Sequence, residues 1–148
     1  MSPHTCEETF HRLLKLLAAK DMDAVADLWA EFGTAEFPFA AGDSPRRLTG
    51  REAVREYLAD YPDLMDVQAI AALTVHRTGR PDTIVAEFTA HGRTMATDEP
   101  YRLDYITVLT TRQGLITRYR DYWNPLAAAS AAGKLPELLG SLRAESAR

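Results

Sequence analysis

Apolar residues near the start of the chain recur at the spacing of one helical face, i, i+3, i+4 and i+7. These residues are Phe10, Leu13, Leu14 and Leu17. Thr5 and Glu8 have the spacing of a capping box, in which a hydroxyl and a carboxylate each bind a free backbone N–H at a helix start. The pattern predicts an amphipathic helix that begins just after Thr5.

A second apolar stripe follows Asp21, whose carboxylate can cap the start of another helix. Its inward positions are Met22, Val25, Leu28, Trp29 and Phe32. We expect this helix to continue to Gly33, because glycine is typical of a helix end. The segment 35–40 is short and aromatic, and Pro38 interrupts it, so it is predicted to be an edge strand at most.

A loop rich in Gly, Asp, Ser and Pro is expected over residues 41–48, and a third helix after it. Thr49 and Glu52 have capping-box spacing at its start. Its apolar face is formed by Val54, Tyr57, Leu58 and Tyr61. Pro62 is predicted to end the helix, because the residue before a proline disfavours helical backbone.

From residue 67 onward the apolar period changes to two, which is typical of strands. Four strands are predicted: Val67–Arg77, Thr83–His91, Tyr101–Thr111 and Leu115–Trp123. Short polar and glycine-containing links join them, which favours an antiparallel meander. Leucines at helical spacing then predict a short C-terminal helix. Helices followed by a run of strands indicate an α+β fold.

Composition narrows the class of protein. The 148 residues fit one domain, 1–148, with 46% hydrophobic and 26% charged residues. The net charge of −4 and the scattered arginines argue against a nucleic-acid partner, which requires a clustered basic face. Cys6 is the single cysteine, so no intrachain disulfide can form. No signal peptide or membrane-length apolar run is visible, so we expect a soluble, cytoplasmic protein that does not bind membranes.

Asp121 is the strongest candidate for chemistry. Strand alternation places Asp121 on one face with Tyr119 and Trp123, and that face should turn inward because Trp123 belongs in a core. A carboxyl among aromatic side chains, across from Tyr105 on the neighbouring strand, should have a raised pKa, as an acid–base catalyst near neutral pH requires. The alternative is a structural carboxylate that fixes the strand end.

Glu87, Thr89 and His91 share one face of the predicted Thr83–His91 strand. Such a polar face is usually turned to solvent or to a dimer partner. If it instead lines a cavity, Glu87 could bind a ligand and His91 could relay a proton. The four histidines and one cysteine have no metal-site spacing, so no metal or cofactor is expected.

Large side chains on predicted inward faces are abundant for so small a core, and they are candidates to bind a substrate. They are Trp29, Phe37, Phe39, Tyr57, Tyr61, Leu103, Tyr105 and Trp123. A plain core is the usual explanation of such a set, and we expect about half of them to touch a ligand. Arg102, Asp104, Arg118 and Arg120 fall on the outer sheet face, as salt-bridged surface or a dimer interface.

Three segments together resemble the nuclear transport factor 2-like superfamily, and most of all its SnoaL-like and PhzA/PhzB-like, ketosteroid isomerase-related branch. They are Glu36-Phe37-Pro38-Phe39-Ala40, Leu48-Thr49-Gly50-Arg51-Glu52-Ala53-Val54 and the stretch from Gly114 to Leu126 that contains Arg120-Asp121-Tyr122-Trp123-Asn124-Pro125. The resemblance implies a curved antiparallel sheet packed against N-terminal helices as a cone. It also implies a pocket for a small apolar molecule, and frequent homodimers.

Enzymes of this superfamily imply different roles for these residues. The general base of ketosteroid isomerases falls on Phe37, and their two oxyanion groups fall on or near Leu13 and Tyr105, so that chemistry is not expected here. Limonene epoxide hydrolases match Asp121 but need an Arg-x-Asp where this chain has Phe88 and Ala90, or Thr89 and His91. The SnoaL-like polyketide cyclases use a last-strand aspartate as acid–base, which Asp121 matches.

The sequence therefore favours a cofactor-independent cyclase or isomerase that transfers a proton on a small, apolar, carbonyl-bearing metabolite, of polyketide-like or aromatic type. Asp121 would shuttle the proton, and Tyr105 or His91 would hold the carbonyl oxygen. Two alternatives stay open. One is an epoxide hydrolase with Asp121 as its base. The other is a non-catalytic ligand-binding or accessory dimeric domain.

Overall fold

A six-stranded sheet forms one wall of the molecule, and helices pack against its inner face. The structure, a computed structural model, describes residues 5–147. Its helices are α1 (Cys6–Ala18), α2 (Met22–Ala26), α3 (Arg51–Leu58), α4 (Tyr61–Leu64), α5 (Pro125–Ala131) and α6 (Leu135–Ser146). Its strands are β1 (Trp29–Glu36), β2 (Arg47–Thr49), β3 (Met65–Arg77), β4 (Thr83–Thr94), β5 (Pro100–Arg112) and β6 (Leu115–Tyr122). The predicted α+β class is confirmed.

The strands lie in the order β2-β1-β6-β5-β4-β3. Strands β3 to β6 form the predicted antiparallel meander, with ends that coincide with the predicted ones or differ from them by up to three residues. Strand β1 pairs antiparallel with β2 on one side and parallel with β6 on the other. The last strand along the meander is therefore paired on both sides, deep in the sheet.

Two irregularities in β3 bend the sheet. Its pairing with β4 shifts register between Val67 and Ala69 and again between Ala71 and Thr74. Within the second shift, Ala72 adopts a positive φ of 53°. Bulges of this kind bend a strand and increase its twist, so β3 and β4 curve toward the helices.

The predicted stripe of α1 packs into the concave face. Phe10 and Leu13 are almost fully buried, and the Phe10 ring lies 5.8 Å from that of Phe88 on β4. The predicted N-cap is also present, because Thr5 Oγ1 accepts a hydrogen bond of 3.1 Å from the backbone N–H of Glu8. Burial of this face anchors the helix on the sheet.

The second predicted helix is wrong beyond Ala26. The chain turns there, and Trp29 begins strand β1, which leaves Phe32 80% exposed instead of inward. Pairing with β6 overrides the helical pattern: the Ile116 N–H donates to the Leu28 carbonyl at 2.8 Å. The predicted edge strand over 35–40 is likewise wrong, because β1 is flanked by β2 and β6 and ends before Pro38.

The predicted third helix divides into two. Thr49 is not its cap, because it pairs with Thr34 as part of β2, a strand inside and just after the predicted loop. Gly50 takes the N-cap position with a φ of 94°, a conformation that glycine adopts without strain. Pro62 lies in the first turn of α4, so Tyr61 belongs to that helix and not to the face of α3.

At the C-terminal end, the predicted leucine-rich helix is present as α6, and α5 precedes it in the alanine-rich stretch. Leu138 is the buried leucine of α6, whereas Leu139 is 39% exposed. Among the helices of residues 5–147, none is long and apolar enough to cross a membrane.

Gly92 on β4 has no room for a side chain, which gives a test of the sheet. The Asp66 carbonyl oxygen and the Tyr101 phenol occupy the place of a Cβ, with the hydroxyl 2.6 Å from it. We predict that Gly92→Ala lowers the free energy of unfolding by at least about 2 kcal/mol. Gly140→Ala is the control, since a Cβ at this position of α6 would meet open space. Alanine there should raise the free energy of unfolding by about 0.5–1 kcal/mol. Urea unfolding of both variants measures the difference, and equal stabilities would contradict this register of β3 and β4.

Candidate functional site

A cavity of about 530 Å³ lies between the concave face of the sheet and the helices. Its floor comes from inward positions of β3 to β6, and its walls come from α1, α3 and α4. Residues of the loop 41–45 and of α5 and α6 complete its lining. This loop packs closely on α6, because a Cβ at Gly42 would lie 3.0 Å from Leu138 Cδ1.

Asp121 projects from β6 into this cavity, as the strand pattern predicts. Its cross-strand neighbour is Thr107 on β5, and not Tyr105 as the sequence suggested. The Thr107 hydroxyl donates a hydrogen bond of 3.0 Å to Asp121 Oδ1. Among residues 5–147, no hydrogen bond reaches Oδ2, and Oδ2 is not shut off from the cavity. One carboxylate oxygen is therefore held and the other is available to a ligand.

The surroundings of Asp121 change its acidity. Burial among protein atoms raises the pKa of its carboxyl to about 7, although the Thr107 hydrogen bond opposes this rise. Lys134 is the one cation that lines the cavity in the described part of the chain, and it is exposed to solvent. Without a nearby positive charge, the carboxyl holds its proton into the neutral range, where it can both accept and return a proton.

Four tyrosines line the cavity and lie near enough to this carboxyl to be affected by its charge: Tyr57, Tyr61, Tyr105 and Tyr119. Burial raises the pKa of each phenol, and the negative charge of Asp121 raises it further. The Tyr119 hydroxyl approaches Thr107, and that of Tyr61 approaches Tyr105. All four phenols therefore stay protonated at neutral pH and are hydrogen-bond donors beside the carboxyl.

Aromatic rings pack tightly around these polar groups. The centroid of the Phe37 ring lies 5.2 Å from that of Tyr57 and 5.0 Å from that of Trp123. Elsewhere on the wall, Trp29 lies 5.3 Å from Tyr119, and Phe88 lies 5.2 Å from Tyr105. Six of the side chains that the sequence proposed for substrate binding line the cavity: Trp29, Phe37, Tyr57, Tyr61, Tyr105 and Trp123.

Two of the proposed binding residues lie elsewhere. Phe39 is 56% exposed and packs its ring on Tyr122, because it follows the end of β1 and turns away from the cavity. Leu103 faces inward but is buried in a separate cluster with Met65 and Ala131, beyond the cavity. Strand alternation gave the correct side of the sheet for Leu103, but it could not show where along the strand the cavity ends.

His91 and Glu87 are also outside the site, which corrects their proposed roles as proton relay and ligand contact. Both are exposed, because the even-numbered residues of β4, such as Phe88 and Ala90, take the inner face. Glu87 interacts with His76 at 2.7 Å on the outer surface. The polar face of this strand is the outer one.

Sequence reasoning missed two residues that the structure places next to Asp121. Tyr119 was visible as a member of the Asp121 face, and its alternation with Asp121 could have identified it. Thr107 could not have been found, because its contact with Asp121 depends on the register of β5 against β6. That register shifts between Thr110 and Thr111, and no local sequence signal marks the shift.

The positions that other enzymes of this fold would use are apolar or phenolic here. Leu13, Phe37 and Tyr105 all line the cavity. Phe88 and Ala90 face the cavity where an Arg-x-Asp pair would be needed, so β4 contributes no charge to Asp121. Within residues 5–147, no three His, Cys, Asp or Glu side chains are grouped closely enough to hold a metal ion.

Comparison with known proteins identifies the family. The model of the SnoaL-like domain family matches residues 10–119. The chain is 41% identical over 126 residues to the uncharacterized protein YesE of Bacillus subtilis, covering 85% of this chain and 86% of that one. It is 37% identical over 122 residues to an uncharacterized PhzA/B-like protein of Pseudomonas aeruginosa, covering 81% and 84%. The chain belongs to the SnoaL-like family.

Solved structures agree with this fold. A crystal structure of a candidate isomerase from Bacillus subtilis superposes with a TM-score of 0.83 at 40% identity, covering 87% of this chain and 93% of that one. A candidate polyketide cyclase from Pseudomonas putida superposes with a TM-score of 0.71 at 20% identity, covering 87% and 98%. The second likeness shows the fold alone, which is the nuclear transport factor 2-like and ketosteroid isomerase-like fold that the sequence resembles.

The raised pKa of Asp121 predicts how stability depends on pH. Between the ordinary value of 3.8 and about 7, the unfolded chain loses the proton that the folded protein keeps, so stability falls as pH rises through this window. Asp121→Asn removes this pH dependence. Its free energy of unfolding should exceed that of the natural protein by up to roughly 4 kcal/mol at pH 8, and by little at pH 4. Denaturant unfolding at several pH values measures this.

Asp104 provides a matched control for that measurement. It too accepts a hydrogen bond from a threonine, Thr89 Oγ1 at 2.7 Å, but on the outer face, where this bond lowers the pKa of its carboxyl. Its contribution to stability is therefore present above the ordinary aspartate pKa and is lost as pH falls through the lowered one. Asp104→Asn should weaken the protein at neutral pH. If the free energies of unfolding of Asp121→Asn and of the natural protein change in parallel with pH, the raised pKa of a buried Asp121 carboxyl is contradicted.

Proposed function

We propose that the protein is a cofactor-independent cyclase or isomerase that transfers a proton on a small, apolar, carbonyl-bearing metabolite of polyketide-like or aromatic type. One observation carries the proposal: a carboxyl with a pKa of about 7 faces an aromatic cavity and has phenol donors beside it. This arrangement combines a proton acceptor matched to neutral pH with hydrogen-bond donors for a developing oxyanion.

The proposed reaction begins at the carbon next to the substrate carbonyl. Asp121 Oδ2 takes a proton from this carbon, and the electron pair of the C–H bond moves to form an enolate. A tyrosine hydroxyl, that of Tyr105 in the first instance, donates a hydrogen bond to the enolate oxygen. The aromatic walls keep water away from the charge, which strengthens that hydrogen bond.

The second half of the reaction returns the proton. In an isomerase, protonated Asp121 delivers it to a different carbon of the same enolate. In a cyclase, the enolate carbon attacks a second carbonyl of the substrate, and the new alkoxide takes the proton from Asp121. Both routes leave Asp121 ionised as at the start and need no oxidant or reductant.

The relatives support this class of activity. A structure with 40% identity to this chain is named as a candidate isomerase, and structures that share its fold are named as candidate polyketide cyclases. The epoxide hydrolase alternative is disfavoured, because Phe88 and Ala90 occupy the positions from which an Arg-x-Asp pair would assist Asp121. A non-catalytic binding domain predicts the same cavity but no proton transfer.

Hydrogen–deuterium exchange of a ketone tests proton transfer without knowledge of the natural substrate. The probe is 2-tetralone, an uncharged bicyclic ketone with acidic C–H groups, followed by NMR in heavy water. We expect the natural protein to accelerate exchange and Asp121→Asn to lose about 10²–10⁴-fold of that rate. The variant should stay folded, because amide and carboxyl have the same shape.

Asp104→Asn is the control, since its carboxylate lies on the outer face and should not affect exchange. The same samples are checked by circular dichroism and thermal unfolding. If Asp121→Asn is destabilised but exchanges the ketone as fast as the natural protein, Asp121 is a structural group. If the natural protein binds 2-tetralone without accelerating exchange, the binding-domain alternative is favoured.

We also propose that two copies of the chain pair through the outer sheet face. Ile106 is 43% exposed at the centre of this face, and the rings of Phe39 and Tyr122 lie beside each other on it at 5.3 Å. Charged groups such as the Arg118–Glu36 pair at 3.1 Å surround them. An apolar patch enclosed by ion pairs is typical of an interface between protein chains.

Light scattering at micromolar concentration tests the pairing. The natural protein should have twice the chain mass of 16.5 kDa, and Ile106→Glu should reduce it to one. Leu139→Glu is the control, because Leu139 is similarly exposed but lies on α6, away from this face. A natural protein that scatters as a single chain would overturn the proposal.

A further inference from the structure

Two phenols from different parts of the chain converge in the cavity. Tyr61 is the first residue of α4, and Tyr105 lies on the inner face of β5. Both line the cavity, and their hydroxyls approach each other. The negative charge of Asp121 is near enough to raise the pKa of both.

Within residues 5–147, neither hydroxyl has a hydrogen-bond partner other than the facing phenol, and neither is closed off from the cavity. The buried phenol without a partner in this part of the chain is that of Tyr101, which lies outside the cavity. By contrast, Asp121 Oδ1 is bound by Thr107. Polar groups in an apolar cavity normally have partners, so two phenols that have only each other indicate where a ligand supplies a further acceptor.

The acceptor that fits is a neutral oxygen with two lone pairs, since both phenols donate and both keep their protons at neutral pH. A carboxylate or phosphate is a poor match. Among residues 5–147, Lys134 is the one cation that lines the cavity, and it is exposed to solvent, while Asp121 would repel a second negative charge. A ketone oxygen meets these conditions.

We propose that Tyr61 and Tyr105 form a paired donor site that binds the carbonyl oxygen of an uncharged ketone and excludes acids. The inference rests on the proposed function for the role of that carbonyl in catalysis, but the donor pair itself can be tested separately. Tyr61 is then a second catalytic residue, since it touches the same oxygen as Tyr105. It comes from a helix that the sequence did not separate from α3.

A non-enolisable ketone isolates binding from proton transfer. The probe is 9-fluorenone with a carbon-13 carbonyl, which has no C–H group beside the carbonyl for Asp121 to deprotonate. Infrared difference spectroscopy should show its carbonyl band at lower frequency in the natural protein than in Tyr61→Phe or Tyr105→Phe, and highest in the double variant. Each single variant should bind 9-fluorenone about 3- to 10-fold more weakly.

Three controls accompany this measurement. Fluorene, which lacks the carbonyl, should bind the natural protein and both variants equally. Tyr122→Phe removes a phenol from the outer face and should leave the band and the affinity unchanged. Fluorenone-4-carboxylate should bind at least about 10-fold more weakly than fluorenone, because its charge has no partner in the cavity. Unfolding curves of each variant confirm that it is folded.

The outcomes separate this inference from the proposed function. A band and an affinity that do not change in folded Tyr61→Phe would overturn the donor pair, and so would tighter binding of the carboxylate than of fluorenone. If both variants shift the band but 2-tetralone is not exchanged, the donor site stands and proton transfer by Asp121 fails. If Asp121→Asn abolishes exchange while Tyr61→Phe leaves the band unchanged, proton transfer by Asp121 stands and the donor pair fails.

Discussion

The central constraint on this protein is a carboxyl buried among aromatic side chains, with no cation beside it in the described chain, residues 5–147. Asp121 lies inside the aromatic cavity, where Thr107 donates a hydrogen bond to it and phenols line the same cavity. Ionising such a group is unfavourable, and burial therefore moves its pKa to about 7. A fold that needed only stability would be improved by an apolar residue at this position.

The surrounding structure keeps that carboxyl in one place. Strand β6 is paired on both sides, parallel to β1 and antiparallel to β5, so Asp121 sits on a rigid element. Thr107 donates a hydrogen bond to Oδ1 from the neighbouring strand, and within residues 5–147 no hydrogen bond reaches Oδ2. The phenols arrive from both the sheet and the helices, which gives the cavity a polar end in an otherwise aromatic lining.

Local sequence patterns predicted the meander of β3 to β6, the helix α1 and the inward direction of Asp121. These features depend on period and on turn chemistry, which neighbouring residues specify. The failures occurred where contacts distant in sequence decide the structure. Trp29 continues a helical stripe, yet pairing with Ile116 draws it into β1, and Phe39 turns outward because β1 has already ended.

In the candidate site, too, local patterns predicted some features and contacts distant in sequence decided the others. Alternation along β6 and β4 was enough to place Asp121 inward, whereas the roles given to His91 and Glu87 required the less apolar side of β4 to line the cavity. Thr107 and the meeting of Tyr61 with Tyr105 could not be predicted, because they depend on strand register and on the position of α4. A family resemblance indicates a pocket, but the partners of its carboxyl come from tertiary structure.

The most direct test of this account is an NMR titration of the Asp121 carboxyl. Carbon-13 labelling of aspartate, with Asp121→Asn to assign the signal, gives the pKa of this group in the folded protein. We predict a midpoint near 7, which moves further upward in Thr107→Val because that variant lacks the hydrogen bond to Oδ1. A midpoint at the ordinary aspartate value of 3.8, unchanged in Thr107→Val, would contradict it.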